Sequence, residues 1–235
     1  MLTKSAYHQS FYTQKEDKYY YMYQIPPKIG CYKVLDTETT GRSKKDHIIE
    51  LGGVEVENGE ITVNTFHIYI RPRVTIKESA VKIHGITSDF FTHDYKDKNI
   101  QDKVKLEKFL KWVGDSIIFS HNAPFDMLYI NRELNYWKLK EIPKERFRCT
   151  MRIFRMVLSY IEPLYDQKYT KLMNCCEYFG IIINRNGFHR AQYDCNKSAE
   201  LLVKIYEKID IDPLLNKKID YLSSIKILNK ISMFI

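Results

Sequence analysis

At 235 residues the chain is long enough for one α/β domain with a substantial core and short extensions at its ends. Its 37 Lys and Arg against 29 Asp and Glu give a net charge of +8, an excess that suits a polyanionic partner but does not demonstrate one. Five cysteines without zinc-like spacing, no apolar run near membrane-spanning length and a polar N-terminus argue against a disulfide framework, a zinc module or a spanning helix; the expectation is a soluble intracellular protein, cytoplasmic or nuclear and not secreted.

In chain order, residues 1–29 read as an N-terminal extension, with six tyrosines, four of them within Tyr19–Tyr23, and an end at Pro26-Pro27. Packing on the domain is expected of it in preference to stacking on bases. Strands follow at about 31–36, 47–57 and 61–70, the last two joined by Glu57-Asn58-Gly59-Glu60, a strong hairpin signal. His84-Gly85 reads as a helix end with a left-handed glycine cap. A helix near 100–114 precedes a strand at 116–120, and helices are expected at about 124–136, 150–160, 170–179 and 190–209. Three strands in a meander followed by alternating strands and helices predict a mixed sheet with helices on its faces. In residues 211–235, Leu215, Ile219, Leu222, Ile225, Leu228 and Ile231 recur at three and four, an amphipathic helical extension. Folding back on the domain is its expected place, and docking on another protein the alternative. Four Lys against one Glu and one Asp put +2 on residues 1–30; four Lys against two Asp put +2 on residues 211–235, leaving +4 for the core.

The chemistry is carried by five residues in three segments. Asp36 and Glu38 end the first strand one residue apart, and side chains at i and i+2 of a strand share a face. Two carboxylates that close repel unless a divalent cation lies between them. Asp126, in His121-Asn-Ala-Pro-Phe-Asp126, falls just inside a proline-started helix beside a strand end. Asp194 opens the long helix near 190–209, and His189, five residues earlier, is expected on the preceding loop, off the helix face. Taken singly each has an ordinary structural reading: D-x-E as a strand end, His189 as a solvent-facing loop residue, H-N-A-P-F-D as a helix entrance.

Taken together, in this order, these segments resemble the motifs of the DnaQ-like, DEDDh subgroup of 3′-to-5′ exonucleases. The likeness extends to Val34–Gly41, Ile49–Val54, Ile83–Thr87 and Lys171–Ile181 and covers roughly residues 31–209. In motif the chain is most similar to the proofreading exonuclease subunit of bacterial DNA polymerase III. The resemblance implies an RNase H-like fold in residues 30–210, a mixed sheet with helices on both faces. It further implies that Asp36, Glu38, Asp126 and Asp194 hold two Mg²⁺ or Mn²⁺ ions and that His189 is the general base. Thr39, His84, Ile86, Asn122 and Phe125 become candidate contacts to the terminal nucleotide, with Ile86 wedged against bases near the 3′ end. Some relatives carry a nucleotide-binding glutamate five residues before the histidine of His84-Gly85; this chain has Ser79 there, with Glu78 beside it.

The activity so implied is hydrolysis at a single-stranded or frayed 3′ end of DNA, releasing nucleoside 5′-monophosphates, with a polymerase or a second copy met through the C-terminal helix. Trimming of RNA or short oligoribonucleotides is the alternative within the same chemistry, and a 3′-end-binding module that does not cut is the alternative outside it.

Overall fold

The computed structural model describes residues 19–95, 100–162, 170–217 and 219. Its centre is a five-stranded sheet in the order β3-β2-β1-β4-β5, where β1 is Cys31–Thr39, β2 Ile48–Glu57, β3 Glu60–Tyr69, β4 Ile117–Ser120 and β5 Phe147–Cys149. The first three strands are antiparallel neighbours, whereas β4 runs parallel to β1 and β5 parallel to β4, so the sheet is mixed as expected. The hairpin between β2 and β3 closes through Asn58 and Gly59, both at positive φ (54° and 82°), the backbone that an Asn-Gly pair adopts at least cost.

Among the described residues six helices of at least seven residues pack around the sheet: α1 (Glu78–His84), α2 (Asp102–Val113), α3 (Ala123–Tyr136), α4 (Thr150–Ile161), α5 (Leu172–Tyr178) and α6 (Ala191–Ile211). The twofold alternation of the strands sorts them onto two faces. Val34, Val54, Val56 and Phe119 point into one cluster with Phe154 of α4, Cys175 of α5 and Leu201 and Leu202 of α6. Their neighbours Leu35, Leu51 and Ile118 point the other way, onto Leu106 and Phe109 of α2 and Tyr129, Ile130 and Leu134 of α3. The parity has a direct consequence at the end of β1: Asp36 and Glu38 share the α6 face, and Thr37 faces α3.

Two features were not read from the sequence. Strand β5 has three residues, too few for any periodicity to register. Tyr20–Tyr23 form a single 3₁₀ turn with Tyr21 and Met22 buried in the α2–α3 cluster, and Arg152 lies over the rings of Tyr19 and Tyr23. The tyrosine run thus packs on the domain as expected, in the form of a turn. At the other end, Leu215 and Ile219 are buried in the α6 cluster. The expected helical positions Leu222, Ile225, Leu228 and Ile231 lie outside the described residues, as do residues 1–18 of the N-terminal extension.

Candidate active site

Parallel strands β1 and β4 set the place of the site. Strand β4 ends at Ser120, opposite Leu35, so Asp36 to Thr39 run on past it into space that α3 and α6 enter. Ligands of α/β sheets collect at such carboxyl ends of strands. Here a cavity of about 560 Å³ is lined by Asp36, Glu38, Asp126, Asp194 and His189 together. The five residues separated in sequence therefore meet, and ligand atoms of Glu38, His189 and Asp194 all lie within 4.8 Å of one another.

Each acid is delivered by a different local device. Pro124 starts α3 after Asn122, which stands at φ 72°, a left-handed conformation that asparagine tolerates. This turn sets Asp126 (2% exposed) against β1, where the Thr37 hydroxyl donates to its Oδ1 at 2.8 Å. His189 takes a positive φ of 65° in the loop before α6, as expected of a residue outside the helix, and its backbone N–H donates to Oδ2 of Asp194 at 3.0 Å. Asp194 Oδ1 is buried with no protein hydrogen-bond partner among the described residues.

Burial dominates the electrostatics. It pushes Asp36 well above the usual carboxylate range, reinforced by Asp126, Glu38 and Asp194. Glu38 is raised to about 8, by burial first and then by Asp194 and Glu50. Asp126 and Asp194 are each raised to about 7 by burial, although Thr37 and the His189 amide hold them back. Four carboxyls so disfavoured as anions, one with an orphaned oxygen, make a hard-oxygen donor set that fits a divalent cation. Burial also lowers His189, with Arg42 and Lys171 adding repulsion, so its imidazole is neutral and able to accept a proton at neutral pH.

Glu50, quoted within Ile49–Val54 without a role, explains how α6 is held. It is 1% exposed and lies opposite Glu38 in the β1–β2 ladder. Burial alone would raise its carboxyl, yet His67, Arg190 and the Ala191 amide together hold it below its ordinary value. Arg190 Nε and the Ala191 N–H both reach its Oε2 at 3.2 Å, clamping the first turn of α6. Gly52 on the same strand makes the approach possible, since a Cβ there would lie 2.5 Å from the Ala191 carbonyl carbon.

The remaining sequence candidates divide. Thr39 and Phe125 line the cavity; the Thr39 hydroxyl donates to the Gly41 carbonyl at 2.7 Å, and Phe125 packs on Tyr129. His84 also lines it, but both ring nitrogens are engaged: Nδ1 accepts from the Ile86 N–H at 3.0 Å and Nε2 donates to the Thr39 carbonyl at 3.2 Å. Its ring face is what it can offer a ligand. Gly85, at φ 72°, caps α1 as expected. Ile86 requires a correction, because it is 4% exposed and packs with Ile49, Ile76 and Ala80, away from the cavity. The exposed aliphatic residue at the cavity wall is Ile83, 40% exposed on α1, whose outward direction follows from how the helix seats on β2 and could not be read from the string. Asn122 is exposed and off the cavity lining, its part being the helix entrance. Ser79 lines the cavity where Glu78 does not.

Comparison with known proteins agrees with this geometry. A family model for RNase T exonucleases matches residues 34–202. The epsilon subunit of DNA polymerase III from Buchnera aphidicola subsp. Baizongia pistaciae is 35% identical over 179 residues, covering 74% of this chain and 68% of the relative. Among solved structures, exonuclease X in complex with 5′-overhanging duplex DNA is 26% identical, with a TM-score of 0.54 over 75% of this chain and 92% of that one. The nuclease domain of 3′hExo, a DEDDh family member bound to rAMP, shares the fold with a TM-score of 0.57 at 19% identity, over 76% of this chain and 92% of that one. With an RNase H-like sheet, the matching motifs and these relatives, the chain belongs to the RNase T exonuclease family and is a DnaQ-like, DEDDh-type 3′-to-5′ exonuclease.

Proposed function

We propose that the chain removes nucleotides from a single-stranded or frayed 3′ end of DNA, releasing nucleoside 5′-monophosphates. The observation that carries this reading is one cavity walled by four carboxyls, three of them buried and Asp36 partly so, with a neutral histidine at its edge. Asp36, Glu38, Asp126 and Asp194 would hold two Mg²⁺ or Mn²⁺ ions, which when bound activate the attacking water and neutralise charge on the attacking and leaving oxygens.

His189 accepts the proton of the attacking water as its oxygen bonds to phosphorus. The bond from phosphorus to the 3′ oxygen breaks, that oxygen takes a proton from solvent water to become the 3′-hydroxyl of the shortened strand, and the released nucleotide keeps a 5′-phosphate. The hydrogen bond from the His189 backbone N–H to Asp194 ties the histidine loop to the acid cluster, which supports this role. Thr39 and Ser79 offer polar contacts to the terminal sugar, and Phe125 and the ring face of His84 offer packing. Ile83 takes the wedge role, where an apolar edge between bases costs stacking and so favours an unpaired end.

DNA is favoured because polymerase III epsilon subunits are among the similar relatives, and the same likeness supports a polymerase partner; its contact would be made through residues 211–235, where the sequence pattern predicts an amphipathic helix. The test is incubation with 5′-labelled single-stranded DNA and RNA of one sequence, with Mg²⁺, with Mn²⁺ and with chelator, beside Asp36→Ala. A metal-dependent ladder from the 3′ end, lost in the variant and faster on DNA, is expected. A faster ladder on RNA would transfer the function to RNA trimming, and binding without a ladder would leave a 3′-end-binding module.

A further inference from the structure

The interior of the cavity is acidic, yet one rim is strongly basic. Between β1 and β2 the chain runs Gly41-Arg42-Ser43-Lys44-Lys45-Asp46. Arg42, Ser43, Lys44 and Lys45 are exposed, and Arg42 and Ser43 line the catalytic cavity. Arg42 also lies close enough to His189 to lower its proton affinity.

The loop is anchored through its backbone, and its single acid is turned inward. Asp46 is 1% exposed and accepts from Thr40 Oγ1 at 3.1 Å, from the Ser43 N–H and from Lys77 Nζ, the last two at 2.5 Å. These partners hold its carboxyl well below the ordinary range although burial opposes them. From α3, the Tyr129 hydroxyl donates to the carbonyls of Gly41 and Ser43, and Arg132 donates to those of Ser43 and Asp46. Among the described residues no carboxylate pairs with Arg42, Lys44 or Lys45. Three cations thus lie on four consecutive residues of an anchored loop that begins at the cavity wall, over a backbone span of at most about 10 Å. Cations held without carboxylate partners suit a polyanion whose counterions they displace.

We propose that the loop Arg42–Lys45 is the phosphate track for the strand upstream of the scissile bond, with Arg42 at the cavity wall and Lys44 and Lys45 beyond it. The proposal rests on the 3′-exonuclease reading but concerns how the strand is held, so binding alone can test it. In an Asp194→Asn background, the affinity for a 5′-fluorescein single-stranded DNA dodecamer would be followed by anisotropy across salt concentrations, with and without Lys44→Gln/Lys45→Gln. Losing two phosphate contacts flattens the slope of log K against log salt by about 1.4. Lys44→Arg/Lys45→Arg keeps the charge and should keep the slope; Lys108→Gln/Lys111→Gln on α2, exposed and outside the cavity lining, should also keep it. In the active protein, the Gln pair should raise KM for the dodecamer at least fivefold more than KM for a dinucleotide. A slope unchanged by the Gln pair, or one flattened as much by the α2 pair, would overturn the track. Failure of the parent enzyme to cut either substrate would overturn the nuclease reading and leave the slope measurement to judge the track.

Discussion

The two oxygens of the Asp194 carboxylate differ: Oδ2 accepts the backbone N–H of His189 at 3.0 Å, while Oδ1 is buried without a protein partner among the described residues. Asp194→Asn keeps an acceptor for the amide and removes the charge. Cleavage should fall to the level seen with chelator while circular dichroism stays that of the parent. Residual metal-dependent cleavage in the variant would remove Asp194 from the metal set. His189→Ala should slow turnover by about 10²- to 10⁴-fold, the usual contribution of a positioned base.

The raised acids also predict how stability follows pH. A carboxyl whose folded pKa exceeds its unfolded value stabilises the fold fully below about 4 and loses that contribution as pH climbs through the folded value. For Glu38 that value is about 8, and for Asp126 and Asp194 about 7. The lowered histidines 47, 84, 121 and 189 act with the opposite sign, but their contribution is complete above about 6.5. The melting temperature of chelator-treated protein should therefore fall between about pH 6.5 and 8.5. Asp194→Asn should fall less, ending at least about 2–4 °C above the parent at the alkaline end, or roughly 1 kcal/mol. Parallel curves for the two proteins would contradict this.

Glu50 is a strut, not a ligand, and its removal should show in stability as well as rate. Glu50→Ala frees Arg190 and the first turn of α6 and should cost about 3 kcal/mol, with a drop in kcat because Asp194 lies in that turn and His189 in the loop that leads into it. Loss of activity with an unchanged melting temperature would instead put Glu50 among the groups that meet metal or substrate.

Ile83 and Ile86 should separate cleanly. Ile86→Ala opens a hole among Ile49, Ile76 and Ala80 and should cost about 2–5 kcal/mol. Ile83→Ala should leave the melting temperature nearly unchanged and weaken action on a paired 3′ end more than on a single strand. The reverse pattern would return the wedge role to Ile86.

What the sequence made legible was set by periodicity. A period of two brought Asp36 and Glu38 onto one face, and the same alternation accounts for the Thr37 hydroxyl reaching Asp126 on the other side of the sheet. His189 could be assigned to a loop because a spacing of five does not share a helix face with Asp194. Asn58-Gly59 announced its hairpin through backbone preference alone. The direction of α1 was not legible: whether Ile83 or Ile86 meets the cavity depends on how a seven-residue helix seats on the sheet, which no local pattern encodes. Glu50 and Gly52 were visible as a string, but their function lies in contacts to Arg190 and Ala191, some 140 residues away.

The acids of the site come from β1, α3 and α6, and α6 also supplies much of one half of the core through Cys195, Ala199, Leu201, Leu202 and Ile205. A nascent chain carries Asp36, Glu38 and Asp126 long before Asp194 is made. Until the last of these helices docks, the first three acids lack both their fourth partner and the histidine. Docking of α6 thus closes one apolar cluster and completes the set of cavity acids in the same contact.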